Sequence, residues 1–286
     1  MSKTVTKAAR AKVNLWLRIL GRREDGFHEI ETRIVEVGLC DELTIEVTAD
    51  SRVEFHCAEP GVPVDDSNLV MKAVRLLEAE TGQSFGLRIE LRKRIPHGAG
   101  LGGGSSDAAA ALAGIDELLA LGLGPARLLE LAKRIGSDVA FFLLGGACDC
   151  SGRGEQVTPV AFSEPLRLLL VKPPFGVPTP WAYQQWSKSL EVAGLSYEPQ
   201  VFPWGAMIND LERPVFGKHL VLGVLKRWLK SQEGVQGALM SGSGSTVFAV
   251  LGPEASAEVL SQRVREEFGD TVWTCATSTV TRLPPG

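Results

Sequence analysis

A glycine-rich segment between Pro96 and Ala111 carries the clearest sign of chemistry in this sequence. Five glycines and two serines lead there into a run of alanines, and residues 96–104 are named here the first glycine loop. Glycine allows positive φ angles and a close approach of the backbone to a ligand, whereas alanine is the best helix former. The pattern predicts a loop that becomes a helix, whose free N–H groups and dipole favour a phosphate. A flexible linker is the alternative, but strand and helix patterns flank the segment closely.

Two familiar phosphate loops do not fit this segment. The Walker A pattern needs a lysine after its last glycine, but Ser105 and Ser106 follow Gly104. The dinucleotide fingerprint matches three of the glycines, yet it requires a parallel strand after the helix. Instead a glycine and a proline break the chain, and apolar residues then recur at the spacing of a second helix: Leu128, Leu129, Leu131, Ala132 and Ile135.

The composition is that of an ordinary globular protein. The chain has 286 residues, enough for one large domain or two smaller ones, with 44% apolar residues, 22% charged residues and a formal charge of −4. There is no basic excess to bind nucleic acid or an anionic membrane, so neither partner is expected. The first residues lack the apolar core of a signal peptide, and no apolar run approaches transmembrane length. We expect a cytoplasmic protein, either a monomer or a weak homodimer.

The five cysteines predict free thiols rather than disulfides or a metal site. Their number is odd and their positions are scattered, which is typical of a reducing compartment. Cys148 and Cys150 form a Cys-x-Cys pair, but no second pair or nearby histidine completes a metal-ligand set. Two alternating residues of a strand explain the pair better.

Alternating and helical apolar patterns predict the elements that position the first glycine loop. Strands are expected around residues 13–19, 43–47 and 87–91, the last leading into the loop. Asp66 and Ser67 can cap a helix that begins near Leu69. Further helices are expected over 220–229 and 256–268, with a last strand over 271–280. The order of elements is too irregular for a parallel βαβ repeat, which favours an α+β fold.

Two other loops are prominent in the second half of the chain. Prolines cluster at 173–180 after an apolar run, and this cluster is either a seam between domains or a loop that faces a ligand. Residues 241–245, Ser-Gly-Ser-Gly-Ser, form a second glycine loop that enters the apolar run 247–251.

Three separated segments resemble the motifs of the GHMP kinase superfamily, which includes galactokinase, homoserine kinase and mevalonate kinase. They are residues 11–15 (Ala-Lys-Val-Asn-Leu), 96–109 and 240–248 (Met-Ser-Gly-Ser-Gly-Ser-Thr-Val-Phe). The resemblance implies a two-domain α+β fold. Residues 1–160 would form an N-terminal domain like ribosomal protein S5 domain 2, with the ATP loop and the catalytic residues. Residues 161–286 would form a ferredoxin-like C-terminal domain.

Lys12 and Asp138 are the candidate catalytic residues. Lys12 shares an alternating strand with Asn14, and two solvated side chains on an exposed face are the simple alternative. A cation and an amide that point the same way can also orient a hydroxyl and screen a phosphoryl group in transfer. Asp138 precedes an apolar run, so it is either a helix N-cap or a carboxylate that accepts a hydroxyl proton. The resemblance matches Lys12 and Asp138 to the superfamily's catalytic lysine and aspartate.

The resemblance further implies ATP as co-substrate and Mg²⁺ as metal. Ser106 and Asp107 near the start of the alanine helix can be caps only, but Ser106 resembles a serine that helps to place the phosphates and Mg²⁺ in related kinases. Hard divalent ions prefer oxygen ligands and keep several waters, so a sparse protein shell is expected. The implied ATP-binding residues, with Asn68 and Leu69 on the adenine side, are Pro96, Gly98, Gly100, Leu101, Gly102, Gly103, Gly104, Ser105, Ser106, Asn68 and Leu69.

Residues 22–28 and 66–69 resemble one subfamily rather than the superfamily at large. Its members phosphorylate the 2-hydroxyl of a cytidine diphosphate derivative of methylerythritol in the non-mevalonate isoprenoid pathway. A cytosine needs flat faces to stack on and hydrogen-bond partners along one edge. Phe27 and Tyr183 match the two stacking positions and His28 the residue that reads the base edge, although core packing or a turn explains such residues equally simply. The other implied substrate residues are Asn14, Thr179, Ser241 and Gly242.

The sequence departs from the family pattern at three positions, and three other functions are alternatives. Members usually carry proline at the positions of Arg10 and Ala140, and tyrosine at that of Phe27, but none of these changes removes a reacting group. Another small-molecule kinase, of the homoserine or mevalonate type, would have no reason to hold a cytosine. A nucleotide-binding regulator would not need both candidate catalytic residues. The acidic net charge disfavours a nucleic-acid role.

Overall fold

The computed structural model describes residues 3–281, and within them the chain divides into two compact units. Unit 1 comprises residues 3–11, 39–97 and 102–145, and unit 2 comprises residues 12–38, 98–101 and 146–281. Strands β1 (Thr4–Arg22) and β2 (His28–Val47) contribute residues to both units. The first glycine loop is likewise divided, with residues 98–101 in unit 2 and residues 96–97 and 102–104 in unit 1.

Unit 1 combines helices with strands. Strand β3 (Val53–Cys57) is parallel to β4 (Leu87–Arg92), which is antiparallel to the end of β2. The side chains of β4 alternate as predicted, because its three apolar residues are buried and its three charged residues are exposed. The helices are α1 (Leu69–Thr81), α2 (Gly103–Leu119), α3 (Gly124–Ile135) and α4 (Val139–Leu144).

Helix α2 begins inside the first glycine loop and lies close to strand β2. A Cβ atom added to Gly114 would lie 2.9 Å from Cδ1 of Ile45, which shows how closely the helix approaches the strand at this glycine. Its N-cap is Gly102, and no side chain caps it. The interpretation of Ser106 and Asp107 as caps is therefore wrong, because both lie inside the helix and are buried.

Unit 2 contains a four-stranded antiparallel sheet in the order β10-β11-β7-β12. Its strands are β7 (Arg167–Lys172), β10 (Val235–Met240), β11 (Val247–Leu251) and β12 (Trp273–Ser278). Helix α7 (Leu220–Lys230) packs on β10 and β11, and α8 (Ala257–Phe268) packs on β12 and β7. This chain order and strand order are those of a ferredoxin-like β-α-β-β-α-β arrangement, as expected.

The remaining strands and helices of unit 2 lie outside the four-stranded sheet. Strand β5 (Ala147–Ser151) pairs with the first half of β2 and with β6 (Gln156–Pro159), while β9 (Gly205–Asn209) is parallel to β1 and pairs with β8 (Gln200–Phe202). Helices α5 (Thr179–Trp186) and α6 (Glu212–Lys218) precede α7. Buried side chains of these helices and of the four-stranded sheet form one apolar core.

The α+β class is confirmed, and the element predictions need only local corrections. The N-cap of α1 is Asn68, and not Asp66 or Ser67. The prolines at 173–180 lie within unit 2 and do not separate the two units. A division of the chain into domains at residue 160 stays a prediction.

Two expectations about thiols and membranes can be compared with the described residues. All five cysteines lie among them, and all five are free thiols. Cys148 and Cys150 are buried on β5, as the alternation predicts. Between residues 3 and 281, no helix is long and apolar enough to cross a membrane.

Candidate active site

Lys12 lies buried on β1 in unit 2, and its ammonium group is held by hydrogen bonds. The residue is 4% exposed, and Nζ donates to Oδ1 of Asn14 at 2.6 Å and to the backbone oxygen of Gly100 at 2.9 Å. Asn14 is 3% exposed, so the alternative of two solvated side chains is wrong. Both faces of β1 are buried at this point, because Val13 and Leu15 are also in the core.

The side-chain amide of Asn14 is oriented by a short chain of hydrogen bonds. Its Nδ2 donates to Oγ1 of Thr32 at 2.9 Å, and Oγ1 of Thr32 donates to the backbone oxygen of Trp16 at 2.5 Å. These bonds leave the Oδ1 atom of Asn14 to accept from Lys12. The direction of the Lys12 ammonium group is therefore fixed by its neighbour on the same strand.

Within unit 2, the first glycine loop lies against the second glycine loop. The backbone oxygen of Gly100 accepts from Lys12 and also from Oγ of Ser241 at 2.9 Å. Gly100 has φ +74°, and a Cβ atom there would overlap the backbone oxygen of Ser241, so only glycine fits. The backbone N–H of Thr246 donates to the backbone oxygen of Ala99 at 3.1 Å, which joins the two loops a second time.

The second glycine loop also reaches the candidate catalytic lysine. Gly242 has φ +55°, and a Cβ atom added to it would lie 3.2 Å from Nζ of Lys12 and 3.2 Å from Oδ1 of Asn14. The structure therefore brings together five of the predicted site residues, all in unit 2: Lys12, Asn14, Gly100, Ser241 and Gly242.

Thr179, at the start of α5, contacts the second glycine loop. Its Oγ1 lies 2.8 Å from Oγ of Ser243, a hydrogen bond in which either hydroxyl can donate. The loop that leads to α5 packs on the first glycine loop, since a Cβ atom on Gly176 would lie 3.1 Å from the backbone oxygen of Gly98. Of the two interpretations of the proline cluster, a loop beside the candidate site therefore fits better.

The N-terminus of helix α2, in unit 1, has backbone amides without an acceptor in the helix. The N–H of Ser106 donates to the backbone oxygen of Gly102 at 2.9 Å, which is the first bond of the helix. The amides of Gly103, Gly104 and Ser105 precede this bond, and such first-turn amides have no acceptor within a helix. This end of the helix can bind an anion through backbone donors and the helix dipole.

A buried charge cluster, which the sequence reasoning missed, lies behind this helix start. Lys93 donates to Oδ2 of Asp107 at 2.8 Å and to Asp41, which is fully buried. Oδ1 of Asp41 accepts from the backbone N–H groups of Arg94 and Ile95 at 2.5 and 2.8 Å. The cluster thus ties the end of β4 to the second turn of α2, on either side of the first glycine loop.

Asp107 is the unusual acid of this cluster. Its Oδ1 is buried and has no hydrogen-bond partner among residues 3–281. Burial raises the pKa of Asp107 to about 7, with Asp41 adding to the rise and Lys93 opposing it. One lysine thus neutralises only one of two buried carboxylates, which favours a proton on the other.

Asp138 occupies the N-cap position of α4 in unit 1 without capping it. Its φ and ψ are helical, at −81° and −10°, and its side chain forms no cap hydrogen bond. Val139, Ala140 and Phe141 anchor the helix in the core, so the half-buried Asp138 sits on a rigid element. Lys12 belongs to unit 2, and a joint role of the two residues stays a prediction.

The predicted cytosine-binding residues lie in unit 2, where Phe27 is exposed and the rings of His28 and Tyr183 form a half-buried pair. The ring centroids of His28 and Tyr183 are 5.4 Å apart, and Trp186 lies edge-on to His28 at 6.1 Å. Phe27 is 52% exposed, so core packing does not explain it. The guanidinium carbon of Arg153 lies 4.6 Å from the Phe27 ring centroid. Trp186 and Arg153 were not identified from the sequence.

Burial and the positive charge of Arg22 lower the pKa of His28. The imidazole is therefore neutral at pH 7, with one nitrogen that donates and one that accepts. Such a side chain can read the edge of a base that carries both donors and acceptors.

Asn68 and Leu69 have a structural explanation of their own. Oδ1 of Asn68 accepts from the N–H of Val70 at 2.9 Å, and Nδ2 donates to the backbone oxygen of Pro63 at 2.7 Å. The side chain of Asn68 therefore caps α1, which begins at Leu69. Their contact with adenine stays a prediction, as do the roles of half-buried Pro96 and of the backbone at Leu101.

Two family models match the chain. The model of the GHMP kinases N terminal domain matches residues 68–146, which include the first glycine loop and Asp138. The model of the GHMP kinases C terminal region matches residues 203–270, which include the second glycine loop.

Relatives and solved structures resemble the chain over most of its length. A 4-diphosphocytidyl-2-C-methyl-D-erythritol kinase of Methylacidiphilum infernorum is 42% identical over 255 residues, which cover 88% of each chain. A crystal structure of 4-(cytidine 5'-diphospho)-2C-methyl-D-erythritol kinase has a TM-score of 0.79 and 33% identity, and the match covers 97% of this chain and 100% of that one. A homoserine kinase of Cytophaga hutchinsonii has a TM-score of 0.69 at 18% identity, covering 98% of this chain and 95% of that one, which shows a shared fold alone.

Proposed function

This chain belongs to the GHMP kinase family, and we propose on that basis that it transfers the terminal phosphoryl group of ATP to the 2-hydroxyl of 4-diphosphocytidyl-2-C-methyl-D-erythritol. Relatives named as the kinase of this compound are 36–42% identical to the chain. The enzyme is an ATP-dependent phosphotransferase with an alcohol acceptor, and the reaction belongs to the non-mevalonate route to isoprenoid precursors.

The observations that carry the choice of acceptor are the exposed ring of Phe27 and the half-buried pair of His28 and Tyr183. A cytosine ring stacks on Phe27 and Tyr183, and the neutral imidazole of His28 pairs with the base edge. Phe27 is a flat ring that the fold leaves half in solvent, which costs free energy unless a ligand covers it. Homoserine and mevalonate have no ring to place there.

Asp138 and Lys12 divide the chemistry of the transfer between them. Asp138 accepts the proton of the 2-hydroxyl while the hydroxyl oxygen bonds to the γ-phosphorus. The bond from that phosphorus to the β–γ bridging oxygen breaks, and ADP leaves. Lys12 stabilises the negative charge on the phosphoryl oxygens. Its hydrogen bonds to Asn14 and Gly100 fix the position of its ammonium group in advance.

The first glycine loop holds the ATP phosphates in this proposal. The free amides at the start of α2 donate to the phosphate oxygens, and glycine at 102–104 keeps side chains out of the way. The adenine lies towards Asn68 and Leu69. The acceptor binds beside Ser241, Gly242 and Thr179 in unit 2.

We propose Mg²⁺ as the metal that accompanies ATP. Among residues 3–281, no three or more His, Cys, Asp or Glu side chains are grouped to hold a metal ion. A sparse oxygen shell fits this arrangement, in which Ser106 offers one hydroxyl and the phosphates hold most of the ion. Mg²⁺ would neutralise charge on the phosphates as they react.

An acceptor assay tests the proposed reaction. The purified protein is mixed with ATP, Mg²⁺ and, in turn, 4-diphosphocytidyl-2-C-methyl-D-erythritol, mevalonate and homoserine, and ADP release is measured. We expect turnover with the cytidine compound alone. Turnover with mevalonate or homoserine but not with the cytidine compound overturns the proposal.

The base role of Asp138 is tested by Asp138→Asn. General acid–base catalysis contributes about 10²- to 10⁴-fold, so kcat should fall by about 10³-fold while nucleotide binding is retained. Asp149→Asn is the control, because that aspartate only pairs with Arg33 near the surface. An unchanged kcat in Asp138→Asn removes the base assignment.

The stacking role of Phe27 is tested by Phe27→Ala. Base–aromatic stacking contributes about 1–3 kcal/mol, so KM for the cytidine compound should rise by about 10-fold or more, with KM for ATP unchanged. Phe202→Ala is the control, since that ring stacks on Trp204 with centroids 4.7 Å apart. Equal KM values in the two variants contradict the stacking role.

The cytoplasmic location, and the expectation of a monomer or a weak homodimer, stay predictions. Size-exclusion chromatography with light scattering measures the second. Nothing in the proposed reaction needs a partner beyond ATP and the small-molecule acceptor.

A further inference from the structure

We propose that Asn209 is a positioning residue that holds the second glycine loop against Lys12. The proposal rests on the proposed function, because it assumes that Lys12 acts in phosphoryl transfer. Asn209 ends β9 and is 2% exposed. It has no part in the sequence motifs that suggest the catalytic and binding residues.

All the hydrogen-bonding atoms of the Asn209 side chain are used on backbone groups. Its Nδ2 donates to the backbone oxygens of Met240 and Gly242, both at 2.7 Å. Its Oδ1 accepts from the N–H of Leu211 at 2.9 Å. One side chain thus binds the last residue of β10 and the second residue of the second glycine loop.

Glu212, three positions after Asn209, binds the other backbone group of Met240. Oε1 of Glu212 accepts from the N–H of Met240 at 3.0 Å, and Oε2 accepts from Nζ of Lys226 at 2.5 Å. Glu212 is 1% exposed, and Lys226 neutralises its buried charge. Residues 209–212 therefore fix both backbone groups of Met240 at the point where the second glycine loop begins.

The same short segment is fixed to the strand that carries Lys12. The N–H of Asp210 donates to the backbone oxygen of Leu17 at 3.0 Å, and the N–H of Ile19 donates to Oδ2 of Asp210 at 2.8 Å. Asn209 itself pairs with Leu17 in the parallel β1–β9 ladder. Residues 209–212 thus link β1 to the second glycine loop and set the distance between them.

Gly242 is the residue at which this link lies beside Lys12 and Asn14. Its Cα is so close to Lys12 and Asn14 that an added Cβ would lie 3.2 Å from Nζ and from Oδ1. The preceding Ser241 donates to the backbone oxygen of Gly100, the same atom that accepts from Lys12. A shift of Gly242 away from Asn209 therefore changes the surroundings of the Lys12 ammonium group on two sides.

The second glycine loop needs such a support because of its composition. Glycines and serines alternate through residues 241–245, and glycine loses more conformational freedom on ordering than any other residue. The two bonds from Asn209 oppose that loss at the position nearest to Lys12.

The test compares Asn209→Ala and Asn209→Ser with Gln200→Ala. Gln200 is a matched control, because its amide also binds two backbone groups of β10, the oxygen of Ala238 at 2.8 Å and its N–H at 3.2 Å. That site lies two residues before Met240 and does not touch the second glycine loop. Folding of each variant is followed by thermal unfolding, and kinetics are measured at a temperature where all are folded.

We expect kcat of Asn209→Ala to fall by about 10- to 100-fold, since misplacing a reacting group by about 1 Å can cost 10²-fold. KM for ATP should change less than about threefold. The kcat of Asn209→Ser, which keeps one donor, should lie between that of Asn209→Ala and that of the unmodified protein. Should Asn209→Ala not fold, the serine variant alone decides. A purely structural role would lower the unfolding midpoint of Asn209 and Gln200 variants alike and leave kcat equal.

The failure of this inference is distinguishable from a failure of the proposed function. If the unmodified protein does not phosphorylate the cytidine compound, the proposed function is wrong and the positioning role falls with it. If it does, and kcat of the Asn209 variants matches that of Gln200→Ala, only the positioning role is wrong.

Discussion

The two glycine loops of the molecule are each backed by a buried lysine–carboxylate cluster, but the charges balance in only one of them. Behind the second glycine loop, Lys226 faces one acid, Glu212. Behind the first, Lys93 faces two acids, Asp41 and Asp107. Both clusters hold backbone next to a loop that must adopt unusual φ angles. The difference is that Glu212 has a lysine of its own, whereas Asp107 shares one with Asp41 and has a pKa of about 7.

The environments of the two acids account for this difference. Burial raises the pKa of Glu212, but Lys226 and the N–H of Met240 stabilise its charged form. Burial, together with the charge of Asp41, raises the pKa of Asp107 to about 7, and Lys93, which the two acids share, only partly opposes the rise. A carboxylate with that pKa changes its charge within the range of ordinary assays.

The balanced cluster should be the more sensitive to loss of its lysine. Lys226→Met leaves Glu212 buried without a counter-charge, and breaking such a pair costs about 3–5 kcal/mol. We expect the free energy of unfolding, measured in urea, to fall by that amount at pH 7. Lys230→Met, on the exposed end of the same helix, is the control, because Lys230 stabilises the charge of Glu212 less than Lys226 does. Adding Glu212→Gln to Lys226→Met should restore part of the loss, and no restoration would contradict the pairing.

The contact between the two loops is tested by Gly100→Ala. A methyl group there overlaps the backbone oxygen of Ser241, so the first glycine loop must move away from Lys12. We expect kcat/KM for ATP to fall by about 10²-fold. Gly61→Ala has the same backbone strain, since φ is +82° there, but an open surrounding. Equal losses in both variants would mean that strain, and not the contact between the loops, sets the effect.

Local patterns predicted the elements well, because they depend on neighbours in sequence. The alternation in β4 and the alanine run of α2 are of this kind, and both are confirmed. The same alternation left a solvated face open as the alternative for Lys12 and Asn14, because a period of two cannot tell whether the second face of a strand is covered.

The clusters behind the loops could not be predicted in this way. Lys93 is separated from Asp41 by 52 positions and from Asp107 by 14, and Asn209 is 33 positions from Gly242. Each residue alone resembles an ordinary surface or turn residue. Only the tertiary fold places them together, so their role in supporting the loops has no local signal.

The unbalanced cluster should make stability depend on pH through Asp107. Its pKa is about 7 in the folded protein and 3.8 in an ordinary peptide, so the folded state binds more protons between these values. Stability then falls as pH rises from about 4 to about 7, the reverse of the usual aspartate. Asp107→Asn removes this pH dependence, so from pH 5 to pH 8 the unfolding free energy of the variant should rise by about 3 kcal/mol relative to that of the unmodified protein.

The measurement is urea unfolding of both proteins at several pH values. Glu117→Gln is the control on the same helix, because Glu117 is exposed and pairs only with Lys7. A difference between Asp107→Asn and the unmodified protein that does not change with pH would show that Asp107 is ionised throughout, and the two clusters would then be alike.

The smallest effect concerns the single hydroxyl through which the second glycine loop supports the first. Ser241→Ala removes the bond from Oγ to the backbone oxygen of Gly100, while Lys12 still donates to that oxygen. A hydrogen bond contributes about 1 kcal/mol net, so kcat should fall by only about fivefold. Ser245→Ala is the control, because its hydroxyl in the same loop donates to the backbone oxygen of Phe175 at 2.5 Å. A lower kcat in Ser241→Ala alone means that the second loop acts through Gly100, whereas equal values mean that Lys12 is sufficient to hold that oxygen.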